Sequence, residues 1–310
     1  MVSRVPTVAI PATSANLGPG FDAFGLALAL HNRFSARLAD EWHVEVTGEG
    51  EGRLSSGPDN RVARSIARVF AEAGKSGLAA SVRCENRIPP GAGLGSSAAA
   101  IVGGLMLGDA LCGAGLDREE LLVLATELEG HPDNAAAALY GGFTISWAEG
   151  GGSGFRCVRL EPAGGLAVVV VSAETLLATR ASRELLPATI PHADAAFSAG
   201  RAGLLVAGIA LGDPDALAAG LADRIHEPYR AAAVGDLEAV RSALLQSGAT
   251  GAVLSGAGPT VIGLVHGADD GEALSRAESV AQRVRSAIAA MPGRREPTAL
   301  GIARTGATLS

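Results

Sequence analysis

The run Pro89-Pro-Gly-Ala-Gly-Leu-Gly-Ser-Ser-Ala-Ala-Ala100 constrains this chain more than any other segment. Glycines at 91, 93 and 95 keep too much backbone freedom to start a helix, whereas Ser96, Ser97 and the apolar stretch from Ala98 onward favour one. A strand-like segment, 80–88, precedes them. A glycine-rich loop that opens onto a helix N-terminus gathers unpaired backbone N–H groups and about half a positive charge from the helix dipole. The two serine hydroxyls can cap the helix or reach a phosphate or its Mg²⁺. The loop therefore points to a nucleotide.

Two common nucleotide loops do not match. A Walker A loop needs Gly-x4-Gly-Lys-Ser/Thr. Gly74, Lys75 and Ser76 would end one, but Val69 stands where its first glycine belongs. A Rossmann fingerprint needs Gly-x-Gly-x-x-Gly, and Ser96 takes the place of the last glycine after Gly91 and Gly93. The loop also has no lysine; Lys75 is the only one in the chain. Any clamp on a phosphate or carboxylate must use backbone groups or arginine, whose planar fork suits carboxylates.

With 310 residues, 48% of them hydrophobic and 18% charged, the chain can build a large core as one large domain or two ordinary ones. A net charge of -7 argues against a nucleic-acid partner. Cys84, Cys112 and Cys157 form neither a disulfide framework nor a metal pattern, which fits a reducing, cytoplasmic compartment. The N-terminus has no apolar core of a signal peptide, and the run from Ala98 to Leu107 is too short for a bilayer, so no membrane association is expected.

Periodicity predicts strands at 5–10, 33–38, 42–47, 80–88, 143–147, 155–160, 166–171, 251–254, 260–265 and 299–304. It predicts helices at 59–73, from the glycine loop to about 111, 118–128, an Ala-rich one ending at Tyr140, and at 193–211, 213–222, 236–247 and 272–290. Gly150 to Gly154 reads as a turn. This pattern is α+β, with a boundary expected at 150–165.

Alone, the glycine loop could be a surface turn. Two further glycine-rich segments accompany it, Pro11-Ala-Thr-Ser-Ala-Asn-Leu-Gly-Pro-Gly-Phe-Asp22 and Leu254-Ser-Gly-Ala-Gly-Pro-Thr-Val261. Together the three resemble the motifs of the GHMP small-molecule kinases, in the right order and over nearly the whole chain. The first segment, and His131-Pro-Asp-Asn134 followed by Gly141 and Gly142, resemble the form found in members that act on homoserine.

The resemblance implies a GHMP kinase fold with a ribosomal-protein-S5-domain-2-like N-terminal half, 1–160, and a ferredoxin-like C-terminal half, 161–310. It implies ATP-dependent phosphorylation of the side-chain hydroxyl of L-homoserine, by direct in-line transfer with Mg²⁺, by a homodimer. Another GHMP kinase, acting on an isoprenoid precursor such as mevalonate, and a non-catalytic nucleotide-binding relative are the alternatives.

Residue by residue, the ATP loop maps onto Pro89, Pro90, Gly91, Ala92, Gly93, Leu94, Gly95, Ser96, Ser97 and Ala98, with Ser97 facing Mg²⁺. A family glutamate that binds Mg²⁺ falls on Glu127 or Glu129, and Glu127 fits the spacing better. Asn16 and Asp22 fall in the substrate site, where Asp22 suits an ammonium. His131 and Asn134 match substrate-site positions, and Asn134 could orient the attacking hydroxyl. Thr179 and Arg183 match a Thr/Arg pair that holds the carboxylate, with Arg180 a competitor; Arg230 matches a second arginine, with Arg224 its rival. Asp133 lies where some relatives carry a base and is expected to be structural.

Overall fold

The structure, a computed structural model, describes residues 5–150, 154–174 and 179–310; the side chains of Thr179 and Arg180 lie outside that description. The 151–153 part of the predicted turn is outside it as well. The first strand, β1 (Thr7–Ala15), runs on past the predicted 5–10 through Pro11. It pairs antiparallel with β2 (Phe24–Ala39), and the register shifts between Pro11 and Ala12. A bulge tolerates a residue that has no N–H to donate to the ladder. Strand β2 is far longer than the predicted 33–38. Its first half, Phe24 to Leu30, is an unbroken apolar run whose alternation cannot be read from the sequence.

Strand β3 (His43–Gly48) and strand β4 (Ala79–Asn86) are parallel, joined by helix α1 (Arg61–Glu72). The Asn60 side chain caps α1 by accepting from the Val62 N–H. Three helices follow: α2 (Ser96–Cys112), α3 (Arg118–Glu129) and α4 (Asp133–Tyr140). Asp117 and Glu120 close a capping box at the start of α3. Strands β5 (Phe143–Ala148) and β6 (Phe155–Leu160) complete this half, β5 pairing with the beginning of β2.

The second half carries β7 (Leu166–Val171), α5 (Thr179–Arg183), α6 (His192–Leu211), α7 (Pro214–Gly220), α8 (Glu227–Val234), α9 (Leu237–Gln246), β8 (Gly251–Leu254), β9 (Val261–His266), α10 (Asp270–Ala289) and β10 (Thr298–Gly301). Helix α8 was not expected; Pro228 in its first turn disguises it, although proline is welcome there. The sheet order is β10-β7-β9-β8, all antiparallel. Counted along this half, that is strand order 4-1-3-2 with helices after the first and third strands, the ferredoxin-like split βαβ. The last strand, β11 (Thr308–Leu309), returns to β1, so the first sheet runs β11-β1-β2-β4-β3.

Strand β7 is buried on both faces, as its continuous β-branched run requires. Leu166, Val168 and Val170 join the large core that also holds α1, α2 and α4 residues. Ala167, Val169 and Val171 pack with α9 and α10. The two halves therefore share one apolar cluster. Among the described residues α6 alone is long and apolar enough to cross a membrane by length and composition. Its Leu205 and Ile209 are buried in the core.

Candidate active site

The three glycine-rich segments meet at one place. Segment Pro11–Ala15 is the buried end of β1, after which Asn16, Leu17 and Gly18 all turn left-handed. Thr13 N–H donates to the Leu94 carbonyl (3.1 Å) and Gly256 N–H to the Ala15 carbonyl (3.0 Å). The Ser255 hydroxyl lies 2.6 Å from the Gly93 carbonyl and 2.9 Å from Ser14 Oγ. Thr13 Oγ1 donates to Asn134 Oδ1 at the start of α4 (2.7 Å). Two halves of the chain and four motifs are thus bonded into one floor.

The loop glycines make that approach possible. Gly95, the N-cap of α2, has φ +67°, and a Cβ there would lie 1.8 Å from Thr13 Oγ1. Gly93 has φ +81°, and a Cβ there would meet the carbonyl oxygens of Ser255 and Gly258 at 2.7 and 2.8 Å. Side chains rarely adopt these angles. The result is a cradle of backbone N–H groups at the N-terminus of a 17-residue helix.

Asn16 and Asp22 stand at the edge of this floor, and both are themselves left-handed (φ 67° and 56°). Asn16 Oδ1 accepts from the Asp22 N–H (3.0 Å), and its Nδ2 donates to the Gly256 carbonyl (2.8 Å). Asp22 accepts two hydrogen bonds of 2.7 Å from Arg183, the last residue of α5. The hydrogen bond and charge of Asp22 push the Arg183 guanidinium above its ordinary value, against the effect of burial. Arg230 is 2% exposed. Its Nη1 reaches the Gly256 carbonyl and His226 Nδ1, both at 3.1 Å, while its Nε has no partner. A buried unpaired donor is expensive, and an acceptor in the cleft would satisfy it. Both guanidinium groups lie near the Phe21 ring, at 5.5 and 5.4 Å from its centroid. The rival Arg224 pairs with Asp194 and packs over Phe197, away from this group. The side chain of Thr179 lies outside the described residues, as does that of Arg180.

The structure separates the two candidate glutamates. Glu127 points outward and pairs with Arg68 (3.0 Å). Glu129 faces the loop, 9% exposed, and its Oε2 accepts from Ser97 Oγ at 2.5 Å. Side chains two residues apart on a helix point about 200° apart, so only one of the pair can face the loop. Arg61, which the sequence reading did not single out, donates from Nη1 to Ser97 Oγ (2.6 Å) and lies 3.5 Å from Glu129. Ser97 and Glu129 form an oxygen donor set of the kind Mg²⁺ takes alongside phosphate oxygens, so these residues fit the ion. Among the described residues no cluster of three His, Cys, Asp or Glu could hold a metal without such help.

Beside Glu129, His131 Nδ1 and Asp133 Oδ1 are 2.6 Å apart. Burial opposes the imidazolium, but the hydrogen bond and charge of Asp133, helped by Glu129 and Asp22, hold His131 above the ordinary histidine value. Asp133 Oδ1 also accepts from the Asn134 N–H (2.6 Å), and the residue is 2% exposed.

Two cavities open onto these groups. The larger, about 840 Å³, extends from Pro90, Gly91 and Ser97 toward Asn32, Phe34 and Asn60. The smaller, about 80 Å³, is bounded by Asn16, Asp22, Asn134, Arg183, Arg230 and Gly256. They meet at Ser96, Ser97, Glu129, His131 and Arg183. One compartment has a phosphate cradle at its mouth. The other is lined by two guanidinium groups, Arg183 and Arg230, and three carboxylates. Glu129 and Asp133 are engaged by Ser97 and His131, so Asp22 with the two arginines offers the complement of a small zwitterion.

Comparison with known proteins shows the family to which the chain belongs. Residues 60–142 match the GHMP kinases N terminal domain, and residues 205–290 match the GHMP kinases C terminal family. The chain has the GHMP kinase fold and belongs to that class of enzymes. It is 46% identical over 261 residues to the homoserine kinase of Streptomyces avermitilis, covering 83% of this chain and 84% of that protein. To the homoserine kinase of Streptomyces coelicolor it is 44% identical, covering 89% and 90%. The crystal structure of homoserine kinase from Cytophaga hutchinsonii superposes with a TM-score of 0.85 at 28% identity, covering 100% of this chain and 99% of that one. Within the class, the chain belongs to the homoserine kinase family.

Proposed function

We propose that the protein transfers the γ-phosphoryl group of ATP to the side-chain hydroxyl of L-homoserine, giving O-phospho-L-homoserine. The observation that carries this reading is the meeting of the two cavities at Ser97, Glu129 and Arg183. A nucleotide lying in the larger one directs its terminal phosphate at an acceptor in the smaller one.

The loop from Pro89 to Ala98 cradles the phosphates with backbone N–H groups, supported by the α2 dipole. Ser97 and Glu129 would hold Mg²⁺, which neutralises charge on the phosphate oxygens when bound. In the acceptor compartment Asp22 takes the ammonium, and Arg183 and Arg230 take the carboxylate, assisted by Asn16 and Thr179. His131 and Asn134 orient the hydroxyl. In an in-line displacement, a bond forms from that oxygen to the γ-phosphorus as the bond to the β–γ bridging oxygen breaks. Without a dedicated base, the hydroxyl proton passes to an oxygen of the transferred phosphoryl group and from there to solvent, because a loose transition state depends mainly on positioning and charge.

We further propose that the enzyme works in the cytoplasm as a homodimer, with its two halves dividing near residue 160. The three cysteines are free, in keeping with that compartment. Steady-state ADP release with ATP, Mg²⁺ and a panel of homoserine, mevalonate and galactose tests the function. Release driven by homoserine alone supports it, and release driven by mevalonate alone overturns the acceptor assignment.

A further inference from the structure

The glycine loop contains no lysine, and α2 begins with two serines, so no cationic side chain comes from the loop itself. Across the larger cavity, the guanidinium of Arg61 bonds its Ser97. Arg61 is the first residue of α1 and follows the N-cap Asn60, which lines the same cavity. Its Nη1 donates to Ser97 Oγ at 2.6 Å and lies 3.5 Å from Glu129 Oε2. The α1 backbone is fixed beneath it by the buried Val62, Ile66 and Val69. The Arg61 side chain is 55% exposed, so it is not committed to the protein interior.

We propose that Arg61 is a phosphate-binding residue for the nucleotide, supplying from α1 the positive charge that other phosphate loops take from a lysine. This rests on the nucleotide reading of the larger cavity. The guanidinium already bonds the hydroxyl at the helix N-terminus where phosphate oxygens would collect. Its other four N–H donors are in reach of no second carboxylate besides Glu129 among the ion pairs of the described residues. Its fork matches phosphate geometry, with charge-assisted hydrogen bonds roughly twice as strong as neutral ones. Were Ser97 and Glu129 to hold Mg²⁺, their oxygens would be taken from Arg61, whose guanidinium would be free for the negatively charged phosphates.

The test is calorimetric titration of wild type, Arg61→Ala and Arg61→Lys with ADP and with adenosine, in the presence of Mg²⁺. Circular dichroism and Tm check that each variant is folded. Adenosine lacks phosphates and reports the base pocket alone. The expected result is that R61A weakens ADP by about tenfold or more and leaves adenosine affinity unchanged. R61K should recover only part of the loss, because an ammonium replaces the fork. Equal ADP affinity in wild type and R61A overturns the proposal alone. So does an equal loss for ADP and adenosine, which would make Arg61 a support for α1 and Glu129. Wild-type protein that binds ADP no more tightly than adenosine overturns both the proposal and the nucleotide reading beneath it.

Discussion

Asp22 and Arg183 hold each other through two 2.7 Å hydrogen bonds, although 161 residues separate them in the chain. The pair has the charges of an amino acid in reverse. A zwitterionic acceptor offers each residue a new partner, its ammonium to Asp22 and its carboxylate to Arg183. An acceptor with only one charge would leave the other residue unmatched, so on the proposed function the pair would select for both charges together.

The first prediction follows from that exchange. Asp22→Asn should raise the KM for homoserine by roughly ten- to a hundredfold, the scale of one charged hydrogen bond, without changing ADP affinity. The KM for 4-hydroxybutyrate, which keeps the carboxylate and hydroxyl but lacks the ammonium, should change far less. Steady-state kinetics on both acceptors, with ADP titrations alongside, check this. Equal effects on the two acceptors would remove Asp22 from ammonium binding.

Glu129 and Glu127 give a matched pair of variants. Glu129→Gln should cut kcat/KM on the order of a hundredfold and raise the Mg²⁺ concentration needed for half-maximal rate. Glu127→Gln breaks only a surface ion pair with Arg68, costing no more than about 1 kcal/mol of stability, and should leave the Mg²⁺ dependence alone. Magnesium titrations of the two variants decide between them; a reversed pattern would restore Glu127.

Asp133 should prove to be a positioning residue. Its Oδ1 is engaged by His131 and by the Asn134 N–H, and it is almost fully buried. Asp133→Asn should therefore slow turnover by less than about a thousandfold, below the upper range of general base catalysis. A larger loss in single-turnover rate, with binding of both substrates intact, would make Asp133 the base.

His226 supplies a pH dependence. Burial lowers its pKa to about 4, with the Arg230 charge pushing the same way and Asp223, the Gly18 carbonyl and Asp22 opposing. In the neutral ring Nε2–H donates to the Gly18 carbonyl (2.8 Å) and Nδ1 accepts from Arg230 (3.1 Å). Because the folded value lies below the unfolded 6.5, folding disfavours the proton. The stability tied to this neutral ring is complete above pH 6.5 and is lost as pH falls from there through about 4. His226→Gln keeps an N–H donor and an acceptor but does not titrate. Its Tm should fall less steeply than that of wild type between pH 6.5 and 4. Parallel acid limbs for the two proteins would show that His226 is not responsible.

Much of this was readable from the residues. The β-branched run at 166–171 reads as a strand and is one, and the helix predicted at 118–128 is α3 (Arg118–Glu129). The glycine loop alone could have been a surface turn; what suggested a phosphate loop was its company, the two further glycine-rich segments at 11–22 and 254–261. What escaped depends on direction in space. Glu127 and Glu129 differ by two positions in a linear spacing but face opposite ways on α3. Arg61 reaches Ser97 from another helix, 36 residues away, and its one sequence cue was an arginine directly after the N-cap Asn60. The continuation of β1 through Pro11 rests on a bulge opposite β2, a tertiary arrangement that local propensity does not encode.

The most direct measurement is phosphorus NMR of the product made from ATP, Mg²⁺ and L-homoserine by the wild-type protein. The account predicts a phosphate monoester whose phosphorus couples to the two side-chain methylene protons bearing the former hydroxyl, formed in step with ADP. Inorganic phosphate as the only phosphorus product besides ADP, or no ADP at all, would contradict it.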